Sequence, residues 1–314
     1  MTHPRQFRFG VMMPRAGSGA QVREWARQAE DLGYSTLFVP DHFVDHPLAP
    51  IPTIAAVAMC TTTLHVGTLV LGNDYRHPVV LAKEAATIDV LSEGRLELGV
   101  GAGWMTVDYE KAGMRLDRPG VRIERLGESV EILRGLWGTG PFSLDGEHYT
   151  VTDLDGDPKP YRPGGPKLVI GGGGPKMLAF AAQQADIVGI NANLHTGVAN
   201  DPSTAPSMNP PNTDQKLRWV KEAAGARYGD LEIQAFAGFA MITDDARAIA
   251  EGMAAVFEAT PDDVLDSPVG LVGTIDEIVE SLERRRARWD MTYHVIPIEQ
   301  MDAFAPVVAR LAGT

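Results

Sequence analysis

The segment VIGGGGPKMLAFAAQQADIVGI, residues 169–190, contains a strand, a turn, a helix and a second strand. An apolar run ends in four consecutive glycines, a helical pattern follows over residues 175–184, and a second apolar run covers residues 187–190. Strands that are apolar on both faces and joined by a helix are typical of a parallel sheet covered by helices. The segment therefore predicts an α/β fold.

The same alternation of apolar runs and helical patterns occurs along the whole chain. Eight such units within 314 residues favour a closed (β/α)8 TIM barrel over an open sheet, with residues 1–314 forming a single domain. We predict strands at residues 7–12, 36–39, 64–71, 96–100, 168–171, 187–190, 233–241 and 292–296. We predict helices near residues 20–32, 51–61, 77–92, 121–137, 175–184, 214–227, 244–258, 274–288 and 299–312.

Two segments are too long to be ordinary connections between a strand and a helix. We predict that they are insertions after strands 4 and 6. Residues 139–166 suggest a β-hairpin with a proline-rich return. Residues 191–213 are polar, proline-rich and unpatterned, and they follow the carboxyl end of a strand. A long loop at that position suggests a lid over an active site, and a disordered surface loop is the alternative.

The composition excludes several classes of function. A net charge of −13 disfavours nucleic acid and anionic membranes as partners, because both are bound through clustered Lys and Arg. Cys60 is the single cysteine, so the chain can form neither an internal disulfide nor a cysteine zinc cluster. Residues 1–10 lack an apolar signal segment, and no apolar run is long enough to span a bilayer. We expect a cytoplasmic protein.

The glycine turn at residues 171–174 allows two interpretations. It is a poor dinucleotide fingerprint, because Lys176 occupies the position of the third glycine and the turn follows the fifth strand. Glycines before a helix that begins near Pro175 can present free backbone N–H groups to an anion, with Lys176 adding a positive charge. A tight strand-to-helix turn without a ligand is the alternative.

Asp41 and His42 follow the second strand, at the end of a barrel where catalytic groups gather. His42 can act as an acid or base near neutral pH, while Asp41 can orient His42 or contact a ligand. A structural histidine is the alternative. The His42–His46 spacing also suggests a metal site, but Pro40 and Pro47 bracket the segment and no third ligand is evident, so we predict none.

Four segments together resemble one family. FVPDHF, VGTLVLGNDYRHPVVLAKEAATIDVLSEGRLELGVGAGW, VIGGGGPKMLAFAAQQADIVGI and GLVGTIDEIVESL are similar to the luciferase-like superfamily, in particular its coenzyme F420-dependent oxidoreductase branch. The resemblance implies a barrel that holds a deazaflavin or flavin at its carboxyl end and usually forms homodimers. It implies coenzyme F420 as the cofactor, with FMN as the alternative.

The resemblance also implies roles for particular residues. His42 corresponds to the catalytic histidine beside the reactive ring, and Asp41 to a neighbour that contacts the cofactor. A bulge at Leu69 and Val70, with a non-prolyl cis peptide, would support the ring from behind. Phosphate would bind at the glycine turn. The implied cofactor-binding residues are Asp41, His42, Leu69, Val70, Gly72, Ala102, Gly172, Gly173, Gly174, Pro175 and Lys176.

Trp104 departs from part of the family pattern. In the sugar-phosphate dehydrogenases of this branch the resemblance implies an acidic proton donor after a glycine turn that here is GVGAG, residues 99–103, whereas this chain has Trp104 there. This difference argues against sugar-phosphate oxidation. Trp104 either forms a wall of the substrate pocket or packs within its loop.

The expected reaction is hydride transfer between C5 of F420 and a small organic substrate, with His42 moving or stabilising the accompanying proton. An FMN-dependent monooxygenase on the same scaffold is the alternative. A non-catalytic flavin- or F420-binding protein is an alternative from another class.

Overall fold

The computed structural model describes residues 5–257 and 259–314. Its centre is a closed barrel of parallel strands: β1 (Arg8–Met12), β2 (Thr36–Val39), β3 (His65–Thr68, continued at Leu71–Gly72), β4 (Leu96–Gly101), β5 (Lys167–Gly172), β6 (Ile187–Ile190), β7 (Glu232–Phe236) and β8 (Met291–Pro297). β1 pairs with both β2 and β8, and β3 pairs with both β2 and β4, so the ring has no open edge. The predicted (β/α)8 barrel is confirmed. That residues 1–314 form one domain stays a prediction.

Helices surround the barrel and bury the outward-facing strand residues. They are α1 (Gly19–Asp31), α2 (Pro50–Cys60), α3 (Pro78–Leu91), α4 (Thr106–Ala112), α5 (Pro119–Trp137), α6 (Pro175–Gln184), α7 (Pro210–Ala224), α8 (Ala246–Phe257), α9 (Pro261–Asp266), α10 (Ile275–Trp289) and α11 (Met301–Leu311). The predicted end of the eighth helix, residue 258, lies outside the described residues. Within the described ranges, no helix combines the length and hydropathy needed to cross a membrane.

The prediction of one strand over residues 233–241 is wrong. β7 ends at Phe236, and Phe239–Ile242 pairs in parallel with Gly270–Gly273 in a separate two-stranded sheet outside the barrel. The physical reason is that apolar residues can be buried in the barrel or in the small outer sheet. The apolar pattern therefore does not show where the backbone leaves the barrel. The sequence analysis also did not predict Gly270–Gly273 and the short helices α4 and α9.

The two insertions have different structures. Phe142–Asp145 and Thr150–Leu154 form the predicted antiparallel hairpin after β4. The segment after β6 is more ordered than the unpatterned loop that we predicted. It contains a 3-10 helix at Pro202–Met208, and α7 already begins at Pro210, because prolines suit the first turn of a helix.

A charged network fills the amino-terminal end of the barrel, opposite the carboxyl ends of the strands. Nη2 of Arg8 donates a 2.8 Å hydrogen bond to Glu97, and the hydroxyl of Tyr293 donates to the other Glu97 oxygen at 2.9 Å. Nε of Arg8 lies 3.0 Å from a Glu232 oxygen. Burial alone would raise the pKa of Glu97, but its contacts with His65 and Arg8 lower that pKa to about 2.

We predict that Glu97→Gln lowers the free energy of unfolding by about 3 kcal/mol at pH 7, because it breaks a buried ion pair. The folded-state pKa of Glu97 lies below its ordinary value of 4.5. Its contribution is therefore complete above about pH 4.5 and is lost as the pH falls towards 2. Urea unfolding should show the wild-type advantage shrinking between pH 7 and pH 3.

Glu131→Gln is the matched control, since Glu131 is exposed on α5 and should leave unfolding unchanged. An advantage of the wild type over Glu97→Gln that stayed constant across this pH range would contradict the interpretation.

Candidate functional site

A cavity of about 910 Å³ opens at the carboxyl ends of the barrel strands. Glycines create much of this space. Gly101 on β4, Gly171 on β5 and Gly189 on β6 line the cavity, and Gly171 and Gly189 are direct partners in the sheet. Because no side chain projects from these positions, a flat molecule can approach the strand backbone.

β3 is interrupted beside this cavity by a cis peptide bond between Leu69 and Val70. The structure thus has the non-prolyl cis peptide at the position that the family resemblance implied. β4 approaches this segment very closely. A Cβ at Gly99 would lie 1.9 Å from the Thr68 carbonyl oxygen, and one at Gly101 would lie 2.8 Å from a methyl of Val70. Glycine at both β4 positions therefore allows the interrupted strand to form this wall.

His42 lies in the cavity wall and is held by Asp108, which the sequence analysis did not connect with it. Its Nδ1 is 2.6 Å from Oδ2 of Asp108, which is fully buried on α4. The other oxygen of Asp108 accepts hydrogen bonds from the backbone N–H groups of Phe43, at 3.0 Å, and Val44, at 3.1 Å. Asp108 therefore fixes both the His42 ring and the backbone that follows it, leaving Nε2 as the ring nitrogen available to a ligand.

Asp41 does not orient His42, contrary to one of the two roles considered for it. Its carboxylate forms a bidentate ion pair with Arg76, at 2.6 and 3.0 Å, and accepts the Gly72 N–H at 3.0 Å. The short sequence distance between Asp41 and His42 was misleading, because each is held by a different distant partner, Asp41 by Arg76 and His42 by Asp108. Gly72 was a predicted cofactor contact, and this hydrogen bond to Asp41 occupies its backbone N–H.

Trp104 stands edge-on to the His42 ring, with ring centroids 5.6 Å apart and an interplanar angle of 84°. It lines the cavity. His46 lies on another side of His42, and its Nδ1 is 2.9 Å from the Val44 carbonyl oxygen. In residues 5–257 and 259–314, no group of three or more His, Cys, Asp or Glu side chains could hold a metal ion.

The glycine turn leads directly into α6. The first hydrogen bond of this helix runs from the Leu178 N–H to the Gly174 carbonyl at 3.0 Å, so the N–H groups of Lys176 and Met177 precede it. The turn is packed tightly on its other side, because a Cβ at Gly173 would lie 2.0 Å from the Ala192 carbonyl oxygen. Free amides and the helix dipole give this end of the cavity a positive potential.

The segment after β6 covers one side of the cavity. Leu194 and His195 line it, and the Thr106 N–H donates a 3.0 Å hydrogen bond to the Gly197 carbonyl, which joins the segment to the start of α4. Behind it, the buried Lys216 ammonium donates to the Asn191 carbonyl. Burial lowers the pKa of Lys216 to about 8. This predicted lid segment is therefore packed on the barrel.

Every site residue proposed from the sequence lines this one cavity: Asp41, His42, Leu69, Val70, Gly72, Ala102, Trp104, Gly172, Gly173, Gly174, Pro175 and Lys176. Sequence reasoning missed the contributions of Arg76, Asp108 and Gln234. Gln234 had a usable signal, since it is a polar residue within the otherwise apolar run that we predicted as a strand at residues 233–241. Asp108 had none, because nothing in the spacing linked it to His42.

Comparison with known proteins gives a consistent result. The family model described as luciferase-like monooxygenase matches residues 5–199. Over 186 residues the chain is 31% identical to 5,10-methylenetetrahydromethanopterin reductase of Archaeoglobus fulgidus, covering 59% of this chain and 53% of that protein. Over 302 residues it is 28% identical to F420-dependent glucose-6-phosphate dehydrogenase of Nakamurella multipartita, covering 91% and 83%.

Relatives with another named activity also match. Pyrimidine monooxygenase of Klebsiella pneumoniae is 33% identical over 150 residues, which covers 46% of this chain and 39% of that protein. The chain spans about half the length of the first curated relatives it matches. Among solved structures, the F420-dependent tetrahydromethanopterin reductase of Methanopyrus kandleri superposes with a TM-score of 0.77 at 18% identity, covering 98% of this chain and 100% of the other, so the fold is shared.

Proposed function

Because this chain belongs to the luciferase-like monooxygenase family, we propose that it is a coenzyme F420-dependent oxidoreductase acting on a small organic substrate. One observation carries the proposal. His42, the interrupted strand at Leu69–Val70 and the glycine turn all line the same cavity. A volume of about 910 Å³ suits a tricyclic ring together with a small substrate.

Backbone groups would hold the two ends of the coenzyme. The phosphate of its side chain fits the turn at Gly172–Gly174, where the N–H groups of Lys176 and Met177 and the positive end of the α6 dipole are available. The ring fits against Leu69 and Val70. Gly99 and Gly101 allow this wall to form, because a side chain at either position would collide with the interrupted strand. Asp41, Gly72 and Ala102 complete the surrounding wall.

The chain's own catalytic group would be His42. Coenzyme F420, when bound, supplies a ring carbon, C5, that gives or takes a hydride. Asp108 accepts the Nδ1 proton of His42, so Nε2 is the atom that can hold or pass the proton accompanying hydride transfer. Asp108 is a positioning residue in this scheme, since it acts on the ligand only through His42.

Trp104 favours a substrate other than a sugar phosphate. The family resemblance implies that sugar-phosphate dehydrogenases of this branch carry an acidic proton donor at this place. The Trp104 indole ring lies beside His42 and offers an apolar surface to the substrate. An FMN-dependent monooxygenase is the second candidate, because a named monooxygenase is among the similar proteins.

We also propose that the protein is cytoplasmic and forms a homodimer. Met59 on α2 and Val80, Val90 and Leu91 on α3 are exposed apolar residues on two adjacent helices. A second copy of the chain would remove them from water. Light scattering should give about twice the chain mass of 33.9 kDa, and the mass of a single chain would contradict this proposal.

The identity of the cofactor can be tested by titrating the purified protein with F420 and with FMN. We expect F420 to bind more tightly. Gly173→Ala should weaken its binding about tenfold or more, because the added Cβ would displace Ala192 and distort the turn. Gly252→Ala is the matched control, since Gly252 lies on α8 outside the cavity lining and a Cβ there has no atom within 4 Å. Tighter FMN binding would instead support the monooxygenase candidate.

The proton-transfer role predicts that His42→Ala lowers kcat about 10²- to 10⁴-fold while F420 still binds. Asp108→Asn should convert His42 to the opposite tautomer, because an amide N–H would then face Nδ1. Nitrogen-15 NMR of the His42 ring reads this change directly, and Asp41→Asn should leave the His42 tautomer unchanged. Full turnover in His42→Ala would refute the assignment.

A further inference from the structure

The cavity has an apolar floor, formed by Met12 on β1, Leu69 in the interrupted strand and Phe236 on β7. All three side chains line the cavity and pack against a buried cluster inside the barrel. The members of that cluster are apolar or aromatic and fully buried: Phe38, Val169, Ile187, Tyr293 and Val295. A ligand that lies on the floor therefore exchanges water for apolar contacts on that side.

Several ionisable side chains in the cavity lining already have partners within the protein. Asp41 is paired with Arg76, and His42 is held by Asp108. The guanidinium of Arg122 donates hydrogen bonds to backbone carbonyl oxygens through both Nε and Nη1. These groups hold one another or the backbone, and so they are not placed to pair with a charged ligand.

The other charged residues of the lining belong to the surrounding helices. Arg118 is the N-cap of α5, Glu124 lies within α5, and Lys176 lies in the first turn of α6. All three are exposed to solvent. Among the described lining residues, those on the barrel strands carry no charge. A charged group lying on the floor would therefore lose water without gaining an ionic partner.

The order of the strands separates the floor into a coenzyme side and a substrate side. Counting either way around the closed sheet, β7 is four strands from β3, so Phe236 lies across the barrel from Leu69. A coenzyme ring packed against Leu69 and Val70 leaves Met12 and Phe236 for the substrate. β1, which carries Met12, pairs with β2, the strand that leads to His42. This step rests on the proposed function.

We propose that the substrate is an uncharged compound whose apolar body lies on Met12 and Phe236, with its reacting group directed towards His42. Met12 and Phe236 are specificity-determining residues in this arrangement. Compounds that carry a carboxylate or phosphate on that body are rejected, because the floor offers no cation to replace the water that the charged group would lose.

The test compares two probes of nearly equal shape, acetophenone and benzoate, of which only benzoate is charged at neutral pH. Binding is followed by NMR of the carbon-13-labelled Met12 methyl group, whose signal is assigned by its loss in Met12→Leu. In protein saturated with F420, acetophenone should bind about a hundredfold more tightly than benzoate. Phe236→Ala should weaken acetophenone binding about tenfold, because it removes apolar contact area. Tyr161→Ala is the matched control, since Tyr161 is 59% exposed and lies outside the cavity lining.

Three results would overturn the proposal. The first is equal affinity of the wild type for the two probes, and the second is unchanged acetophenone affinity in Phe236→Ala. The third is loss of the Met12 response to acetophenone once F420 saturates the protein, which would assign the floor to the coenzyme. Failure of F420 to bind the wild type would refute the proposed function instead. The Met12 response of F420-free protein to the two probes would then still decide whether the floor selects uncharged ligands.

Discussion

The site depends on the absence of side chains at one level of a closed barrel. Eight parallel strands close into a ring whose interior would ordinarily be filled by layers of side chains. Here the lower layers are filled, by the Arg8 network and then by a cluster that includes Phe38, Val169 and Tyr293. Above them, glycines at positions 101, 171 and 189 leave the cavity open. The side chains that stabilise the barrel and the residues that line the cavity thus lie at opposite ends of the same strands.

The carboxyl groups in and behind the cavity wall illustrate a second constraint. Asp41 is satisfied by Arg76 and a backbone N–H, and Asp108 by His42 and two backbone N–H groups. These carboxylates have little capacity left for a ligand. The groups in the wall that remain available are Nε2 of His42 and the N–H groups at the start of α6. These groups suit different chemistry: Nε2 of His42 can hold or pass a proton, and the N–H groups of α6 can bind an anion.

The groups in the cavity wall also help to explain why one fold can support more than one activity. Relatives that match this chain are named both as F420-dependent enzymes and as monooxygenases, so the shared barrel does not by itself select one activity. Trp104, which lies beside His42 in the cavity lining, is one of the side chains that shape this space. Fold resemblance therefore identifies the coenzyme class more readily than the substrate.

Periodicity and glycine placement in the sequence were sufficient to determine the barrel, because apolar runs and helical patterns record burial directly. The family resemblance located the cis segment and the glycine turn. Only the tertiary structure decided that Asp108, 66 residues from His42, orients it, and that β7 ends at Phe236. It also decided that Gln234 faces inward. Contacts between distant residues depend on how the strands close into a ring. That closure is set by strand direction and register, and a local sequence pattern determines neither of them.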